Sequence, residues 1–395
     1  MSMSAEEESL LAAVLERPDE DEPRLVYADW LQQRGDPRGE LIAVQVARSR
    51  GDTRAELAQR ESELLAEHHE RWASELGLEA RQVVFERGFA SSIGLVPMPQ
   101  LLALEGRIFA RAPIVRLAFD GLGPDDIQAL VSTSCLRRVK DLILDNNKIG
   151  PRGARLLAES EVASRLERLS LFSNDVGTSG ATAFAQSSTL TRLRQLDLSY
   201  NDIGQDGARA ILGSSLVTQL VRLGLASSNL GRAAAHLLTT AGPCPKLDAH
   251  NLSENGLPDA HLGRIAGAPL LENLSILYLA RNPVGDEGVK QLVERGRFTR
   301  LAYLDLSYTH VGDGGVVAIA GSPRMATLRR LRLAKLSPSE GSVGDVGALA
   351  IASSEHLGGL QELFLVGNKK VTRNAKRQIE ARFGKDFVDR VFTGA

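Results

Sequence analysis

The sequence predicts an α/β solenoid, in which short parallel strands line a concave face and helices line the convex face. Two observations predict it. The stretch LRQLDLSYNDIGQDGARAIL at 193–212 begins with alternating apolar and polar residues and continues with helical periodicity. The same pattern returns every 27 residues, with anchor positions at 142, 169, 196, 223, 250, 277, 304 and 331. A strand that returns through a helix to a parallel neighbour makes a right-handed crossover, so we expect a right-handed solenoid.

Each repeat contains the same set of structural positions. The anchor and the residue two positions later are apolar, as in Leu196 and Leu198, and should face inward from a strand. An Asn follows at anchor+5, whose amide can satisfy backbone groups where the chain leaves the sheet. Two Gly residues, such as Gly204 and Gly207, then allow the outer helix to lie close to its neighbours. One repeat alone buries too little apolar surface to fold, so the repeats must fold together.

The pattern L-x-x-L-x-L-x-x-N-x-I-G-x-x-G-A resembles leucine-rich repeats across residues 114–368. It is most similar to the ribonuclease-inhibitor class, and this resemblance implies helices on the convex side. That class also includes the Ran GTPase-activating proteins. The resemblance therefore implies one alternative function, the regulation of a small GTPase, for which no residue of the chain stands out.

Residues 1–50 predict a small module of three helices. The string DEPRLVYADWLQQRGDPRGELIAVQ resembles the bacterial repeat-companion domain, which accompanies repeat arrays and implies a bacterial protein without implying any chemistry. Asp29, Asp36, Arg24 and Arg38 form a polar cluster in this string. We interpret these charges as helix caps and local pairs around a small core, because two carboxylates without a nucleophile or metal partner make no active site.

The ends of the repeat array predict caps. Residues 51–113 contain a charged helix, two strands that turn at Arg87 and Gly88, and an irregular first repeat. A hairpin there would cover the first edge of the parallel sheet. Residues 369–395 form an amphipathic segment whose Ile379, Phe383, Phe387 and Val388 can cover the last repeat.

Composition limits the classes of function. The chain of 395 residues has a formal net charge of −2, which argues against a nucleic-acid partner. Its two cysteines, Cys135 and Cys244, give neither a metal-binding spacing nor a disulfide framework, which favours a reducing compartment. The N-terminus lacks the pattern of a signal peptide, and no apolar run could span a bilayer, so we expect a cytoplasmic protein without a membrane partner.

Several repeats depart from the pattern. Ser228, Thr309 and Leu336 replace the Asn, and KLSPSEGSVGD adds five residues to one repeat, either as a neutral insertion or as a contact loop. His250 occupies an inward Leu position, and His261 replaces a Gly in the same repeat. The two could in principle bind a metal, but we expect His250 to be a neutral core residue bonded to backbone.

The open side of the sheet is the predicted binding surface. Side chains at anchor−1, +1, +3 and +4 should face away from the core, and four of the five tyrosines fall there beside arginines. Tyr and Arg dominate protein interfaces, although they could also simply shield a sheet from water. The predicted partner-binding residues are Tyr200, Tyr278, Arg281, Tyr303, Asp305, Tyr308, Arg330, Arg332 and Lys335.

These patterns predict a non-catalytic scaffold that binds a protein partner of unknown identity. No nucleophile–base pair, metal-ligand spacing or phosphate loop is recognisable, so we expect neither an enzyme nor a cofactor. The glycine-rich strings GDGGVV and GDEGVK coincide with the repeat glycines and belong to the framework.

Overall fold

The computed structural model describes residues 4–242, 244–335 and 341–384. Leu336, residues 337–340 of the predicted insertion, and Phe387 and Val388 of the predicted cap lie outside the described residues. The chain forms two compact units. Unit 1 contains Met1–Asn147 and Ser160–Arg168, and unit 2 contains Lys148–Glu159 and Leu169–Ala395. The segments predicted as 1–50 and 51–113 thus share unit 1 with the first repeats.

Unit 1 begins with helices and continues into a sheet. Its elements are α1 Ala5–Glu16, α2 Glu22–Gln32, α3 Pro37–Ser49, α4 Ala55–Ser74, β1 Val83–Glu86, β2 Phe89–Ile93, α5 Met98–Phe109, β3 Arg116–Ala118, α6 Pro124–Ser132 and β4 Asp141–Ile143. Strand β1 is antiparallel to β2, whereas β2, β3 and β4 are parallel. The two-residue turn at Arg87 and Gly88 has φ values of +49° and +80°. The predicted hairpin and its place beside the parallel strands are therefore confirmed.

The helical module packs onto the hairpin within unit 1. Tyr27, Ile42 and Phe89 belong to one buried cluster, and Phe89 comes from β2. The side chain of Gln45 accepts a hydrogen bond from Gly88 N at 2.7 Å and donates one to Phe85 O at 3.0 Å. Apolar burial and paired polar groups thus join α3 to the hairpin turn.

Unit 2 alternates strands and helices. Its elements are α7 Gly150–Glu159, β5 Arg168–Ser170, α8 Gly177–Gln186, β6 Gln195–Asp197, α9 Gly204–Leu212, β7 Arg222–Gly224, α10 Ala234–Thr240, β8 Ala249–Asn251, α11 Asp259–Ile265, β9 Ile276–Tyr278, α12 Asp286–Arg295, β10 Tyr303–Asp305, α13 Asp313–Gly321, β11 Arg330–Arg332, α14 Asp345–Ser353, β12 Glu362–Phe364 and α15 Arg373–Phe383. Residue 168 of β5 is counted with unit 1. From β6 to β12 the strands follow chain order and pair in parallel, for example Leu304 with Leu277 and Leu331. The repeats therefore fold as the predicted α/β solenoid.

The core of unit 2 lies between the strands and the helices. Leu196 and Leu198 are 1% and 0% exposed, and the equivalent leucines of the other repeats are buried in the same way. Gly207 of α9 allows close helix packing, since a Cβ atom there would lie 3.1 Å from the Ala181 side chain of α8. The inward leucines and the small helix residues together set the distance between successive repeats.

The predicted Asn ladder is present at the turns after β5, β6, β8, β9 and β12. The Asn201 side chain accepts hydrogen bonds from the backbone N–H of Asn174 at 2.9 Å and Val176 at 3.1 Å, one repeat earlier. Its amide nitrogen donates to Leu171 O at 2.7 Å and to Ser199 O at 3.0 Å. Asn255, Asn282 and Asn368 make comparable bonds. Each amide therefore satisfies buried backbone groups that the strands leave unpaired.

A second ladder, of aspartates, joins the later helices. Asp259, Asp286, Asp313 and Asp345 are each the first residue of their helix. Each accepts a hydrogen bond from a backbone N–H of the next repeat, at 2.6, 2.6, 2.7 and 2.7 Å respectively. A carboxylate in the first turn also interacts favourably with the helix dipole. The Asp side chains thus link successive outer helices, as the Asn side chains link successive turns.

Candidate protein-binding surface

The open face consists of the unit 2 side chains at anchor−1, +1, +3 and +4 on strands β6 to β12. The anchors point into the core, so their strand neighbours point the other way. Tyr278 and Tyr303 are half-buried beside the buried Leu277 and Leu304, and Tyr200, at anchor+4 of the β6 repeat, is 40% exposed. The predicted alternation is therefore present, and it positions the tyrosines and arginines on one surface.

An aromatic cluster covers strands β9 to β12 of the open face. The rings of Tyr278 and Tyr303 lie 5.0 Å apart at an interplanar angle of 54°. The Arg332 guanidinium lies 4.5 Å from the centroid of the Phe364 ring, and its Nη1 donates to the Tyr303 hydroxyl at 3.4 Å. The Tyr303 hydroxyl in turn lies 3.5 Å from an Asp305 oxygen. Three of the predicted residues, Tyr278, Tyr303 and Arg332, thus form one contact network with Phe364.

A second row crosses the face at the anchor+4 positions. Glu254 contributes to raising the pKa of Tyr200, and it forms an ion pair with Arg281 at 3.1 Å. The Arg281 guanidinium lies 4.9 Å from the centroid of the Tyr308 ring. Tyr200, Arg281 and Tyr308 have φ values of +59°, +56° and +59°. This left-handed conformation costs about 1–2 kcal/mol for a residue with a Cβ. The same turn conformation therefore recurs in these repeats despite that cost at each anchor+4 residue.

Two of the predicted site residues are buried and do not face solvent. Asp305 is 8% exposed, because its carboxylate turns back to accept the Ser307 N–H at 2.9 Å. Lys335 is 4% exposed, and its ammonium group donates to the backbone carbonyl of Thr309. Thr309 occupies a position that is Asn in most repeats, so the lysine satisfies a carbonyl at this turn. Asp305 and Lys335 are therefore buried residues that bond to the backbone beneath the open face. Their prediction as exposed contact residues was wrong.

The hydroxyls of Tyr200 and Tyr303 remain protonated at neutral pH. Burial raises the pKa of Tyr303 to about 12, although the hydrogen bond from Arg332 acts in the opposite direction. Burial, together with the hydrogen bond to Glu254, also raises the pKa of Tyr200. Both hydroxyls can therefore donate and accept hydrogen bonds in an interface.

Several open-face residues escaped the sequence analysis. Glu254, Glu362 and Phe364 occupy the same open-face positions of their repeats. They were not predicted because the prediction was guided by the Tyr and Arg side chains. Phe172 lies 4.7 Å from Tyr200, ring centroid to ring centroid. Applying the positional rule to every strand would have found all four residues.

The histidines and cysteines provide no evident chemistry. His250 is fully buried, with Nδ1 2.9 Å from Leu223 O, and burial lowers its pKa to about 4, which confirms the prediction of a neutral core histidine. Burial raises the pKa of Cys135 to about 11, and that of Cys244 is also raised by burial. Within the described ranges, no group of three or more His, Cys, Asp or Glu residues is arranged to hold a metal ion.

The charged residues Arg24, Asp36 and Arg38 of the helical module have partners within unit 1, although Arg24 Nε and Arg38 Nε are buried without one among the described residues. Asp36 caps α3 by accepting the Arg38 N–H at 2.9 Å, and Arg38 pairs with Glu75 at 3.0 Å. These residues border a cavity of about 430 Å³. Arg24 is 2% exposed and donates to the carbonyls of Pro18 and Arg87 at 2.9 and 3.2 Å. The interpretation is confirmed for Asp36 as a helix cap and for Arg38 as a pairing residue, whereas Arg24 bonds to backbone carbonyls.

The repeats match a known family model, described as leucine-rich repeat, at residues 164–185, 189–212, 271–293 and 301–320. The described strands and helices of unit 2 have the arrangement that this match implies. The fold is therefore an α/β leucine-rich-repeat solenoid. A search of curated proteins found no match to the chain.

Solved structures similar to this chain share its repeats at low identity. An internalin from Listeria monocytogenes is 16% identical, with a TM-score of 0.35, and the match covers 67% of this chain and 78% of that one. TLR13, solved in complex with ssRNA13, is 16% identical, with a TM-score of 0.42. The match covers 73% of this chain and 41% of the TLR13 chain. A chain of the Rad7 and Elc1 complex from yeast is 16% identical, with a TM-score of 0.35, and the match covers 66% of this chain and 77% of that one. The chain thus spans less than half of the TLR13 chain.

One further observation concerns membranes. In the described parts of the chain, no helix is both long enough and apolar enough to cross a bilayer.

Proposed function

We propose that this chain is a non-catalytic scaffold that binds a protein partner through the open face of unit 2. The observation that carries the proposal is the contact network of Tyr278, Tyr303, Arg332 and Phe364, extended by the row from Tyr200 to Tyr308. Tyr and Arg side chains bury a large area while keeping polar ends, which is why they dominate interface hot spots. Their mutual contacts hold them in place before binding, which reduces the entropy lost on association.

The partner-binding residues of the proposal are Tyr200, Tyr278, Arg281, Tyr303, Tyr308, Arg330 and Arg332, with Asp305 and Lys335 in supporting positions. Residues 51–113 would serve as the N-terminal cap beside the helical repeat-companion module of residues 1–50, and residues 369–395 would serve as the C-terminal cap. The antiparallel β1 beside β2 and the fully buried Ile379 of α15 support these two assignments. The caps would leave the open face as the surface offered to a partner.

We also propose that the protein acts in the cytoplasm of a bacterium and that its repeats are of the ribonuclease-inhibitor class. The free, buried thiols of Cys135 and Cys244 favour a reducing compartment. The resemblance of residues 5–47 to the repeat-companion domain favours a bacterial source. An α-helix between almost every pair of strands in unit 2 favours the repeat class.

Site-specific photo-crosslinking in cells of the source organism tests the binding surface. A photoreactive phenylalanine at 278 or 303 would sit on the open face, and the same residue in place of Lys290 would sit exposed on α12 of an adjacent repeat. The proposal expects one discrete protein adduct from 278 and 303 and none of that mass from 290. Equal adducts from all three positions, or an adduct from 290 alone, would overturn it.

A further inference from the structure

The two ion pairs of the open face expose their arginines more than their carboxylates. Arg281 and Glu254 lie 3.1 Å apart, with side chains 52% and 25% exposed. Arg330 and Glu362 lie 3.3 Å apart, with side chains 52% and 33% exposed. A partner that approaches this surface therefore meets guanidinium groups first.

Two further arginines of the face form no ion pair with a carboxylate among the described residues. Arg222 is exposed on β7 and, within the described residues, makes no side-chain hydrogen bond or ion pair. Arg332 has one polar side-chain contact, the 3.4 Å bond to the Tyr303 hydroxyl, and its Nε is buried without a partner. Guanidinium donors thus remain available on both sides of the Arg281 pair.

The other carboxylates of the face are engaged with backbone. Asp305 is 8% exposed and accepts the Ser307 N–H at 2.9 Å. The Asp197 side chain accepts the Ser199 N–H at 2.8 Å. Asp197 and Asp305 therefore turn toward backbone, while Arg222, Arg281 and Arg330 remain exposed to solvent. The most exposed charged groups of the face are thus guanidinium groups, although the whole chain has a formal charge of −2.

We propose that the protein segment bound on the open face is acidic, rich in Asp and Glu; this inference rests on the proposed function. Strands β7 and β11 are separated by four strand steps, or about 19 Å at about 4.8 Å per step. An extended peptide spans that distance with about six residues. Its carboxylates can pair with Arg222 and Arg330, which hold the same anchor−1 position on β7 and β11, and bidentate pairing with guanidinium groups provides the geometry.

The same surface is a poor fit for single-stranded nucleic acid. Base stacking needs aromatic faces that are free. Here Tyr278 and Tyr303 pack on each other, and cations lie over Tyr308 and Phe364.

Fluorescence anisotropy with the full chain tests the inference. The probes are a fluorescein-labelled octaglutamate, an octaglutamine of the same length and an octauridylate, in about 50 mM salt so that screening is weak. The variant R222Q/R281Q/R330Q removes three exposed positive charges from the face. Its control, K290Q/R297Q/R324Q, removes three exposed positive charges elsewhere in unit 2.

We expect the octaglutamate to bind more tightly than either other probe. We expect R222Q/R281Q/R330Q to weaken it about tenfold, since three surface pairs each contribute modestly. The control variant should retain the parent affinity within about twofold. If the triple variant does not fold, R222Q alone should weaken binding about twofold, because Arg222 has no internal partner to lose.

Three results would overturn the acidic assignment. If the control variant weakens octaglutamate binding as much as R222Q/R281Q/R330Q does, the peptide is attracted to the charge of the whole chain. If the octauridylate binds more tightly than the octaglutamate, the open face is a nucleic-acid surface. If partner adducts still form at 278 and 303 while R222Q/R281Q/R330Q binds octaglutamate like the parent, the partner is a protein that is not acidic. That result is distinct from failure of the proposed function, in which the adducts themselves are absent.

Discussion

The Asn201 side chain accepts the backbone N–H of Asn174 at 2.9 Å, so one repeat directly satisfies the turn of the preceding repeat. Replacing Asn201 with Ala leaves four backbone groups without this partner. We expect the free energy of unfolding to fall by about 3 kcal/mol, because buried backbone groups left unpaired are costly. Urea unfolding followed by circular dichroism measures the change.

Asn251→Ala is the matched control for that variant. The Asn251 side chain accepts one bond, from Ser253 N at 3.1 Å, and it is half-buried. We expect a loss of about 1 kcal/mol or less. Equal losses in the two variants would show that the Asn ladder does not stabilise the solenoid in the way described.

The buried His250 predicts a pH dependence of stability. Its pKa is about 4 in the folded protein against an ordinary value of 6.5, so below pH 6.5 the unfolded chain binds more protons than the folded one. Stability is therefore fully present above about pH 6.5 and is lost as the pH falls toward 4. From pH 7.5 to pH 5 the contribution amounts to about 2 kcal/mol.

His250→Leu restores the residue found at the other anchors and should remove this part of the pH dependence. His236→Leu, at an exposed position of α10, should retain it. Urea unfolding at the two pH values measures both variants. The same pH dependence in His250→Leu as in the parent would contradict the assignment.

The close contact between the hairpin turn and α3 predicts that Gly88→Ala severely destabilises unit 1. A Cβ atom at Gly88 would lie 2.7 Å from the Ile42 Cα, and the φ of +80° adds strain. We expect a loss of more than about 3 kcal/mol. Gly121→Ala has φ +75° but no atom within 4 Å of its Cβ, and should cost about 1 kcal/mol from strain alone. Similar thermal shifts in the two variants would argue against the packing.

The aspartate ladder predicts that Asp313→Ala destabilises unit 2. Asp313 Oδ1 accepts hydrogen bonds from Gly344 N at 2.7 Å and Gly347 N at 2.8 Å. Losing these charge-assisted bonds should cost about 2 kcal/mol. Asp206→Ala removes an exposed carboxylate paired only with Arg209, and should change stability by less than about 0.5 kcal/mol. Chemical denaturation of both variants decides whether the ladder contributes.

Much of the fold was predictable because its determinants are periodic. The anchors, the Asn ladder and the hairpin at Arg87 and Gly88 each depend on residue types at fixed spacing. The aspartate ladder was missed because Asp259, Asp286, Asp313 and Asp345 are common helix-starting residues, and their bonds to the next repeat become evident only in three dimensions. Periodicity therefore identifies the framework more readily than the contacts between its repeats.

The candidate site was predictable in position but not in detail. The alternation of strand residues placed the tyrosines and arginines on the open face. It could not show that Lys335 reaches down to the Thr309 carbonyl or that Asp305 folds back to Ser307 N. Long side chains choose between solvent and nearby backbone groups, and only the local geometry decides between them.

The affinity of the photo-crosslinked partner for the triple variant Y278A/Y303A/R330A tests the central claim most directly. The control K290A/R297A/R324A truncates three exposed side chains elsewhere in unit 2. Calorimetry with the purified partner should show a loss of about 3 kcal/mol, or more than about a hundredfold, for the open-face variant and no significant change for the control. Unchanged affinity in a folded Y278A/Y303A/R330A variant would contradict the account.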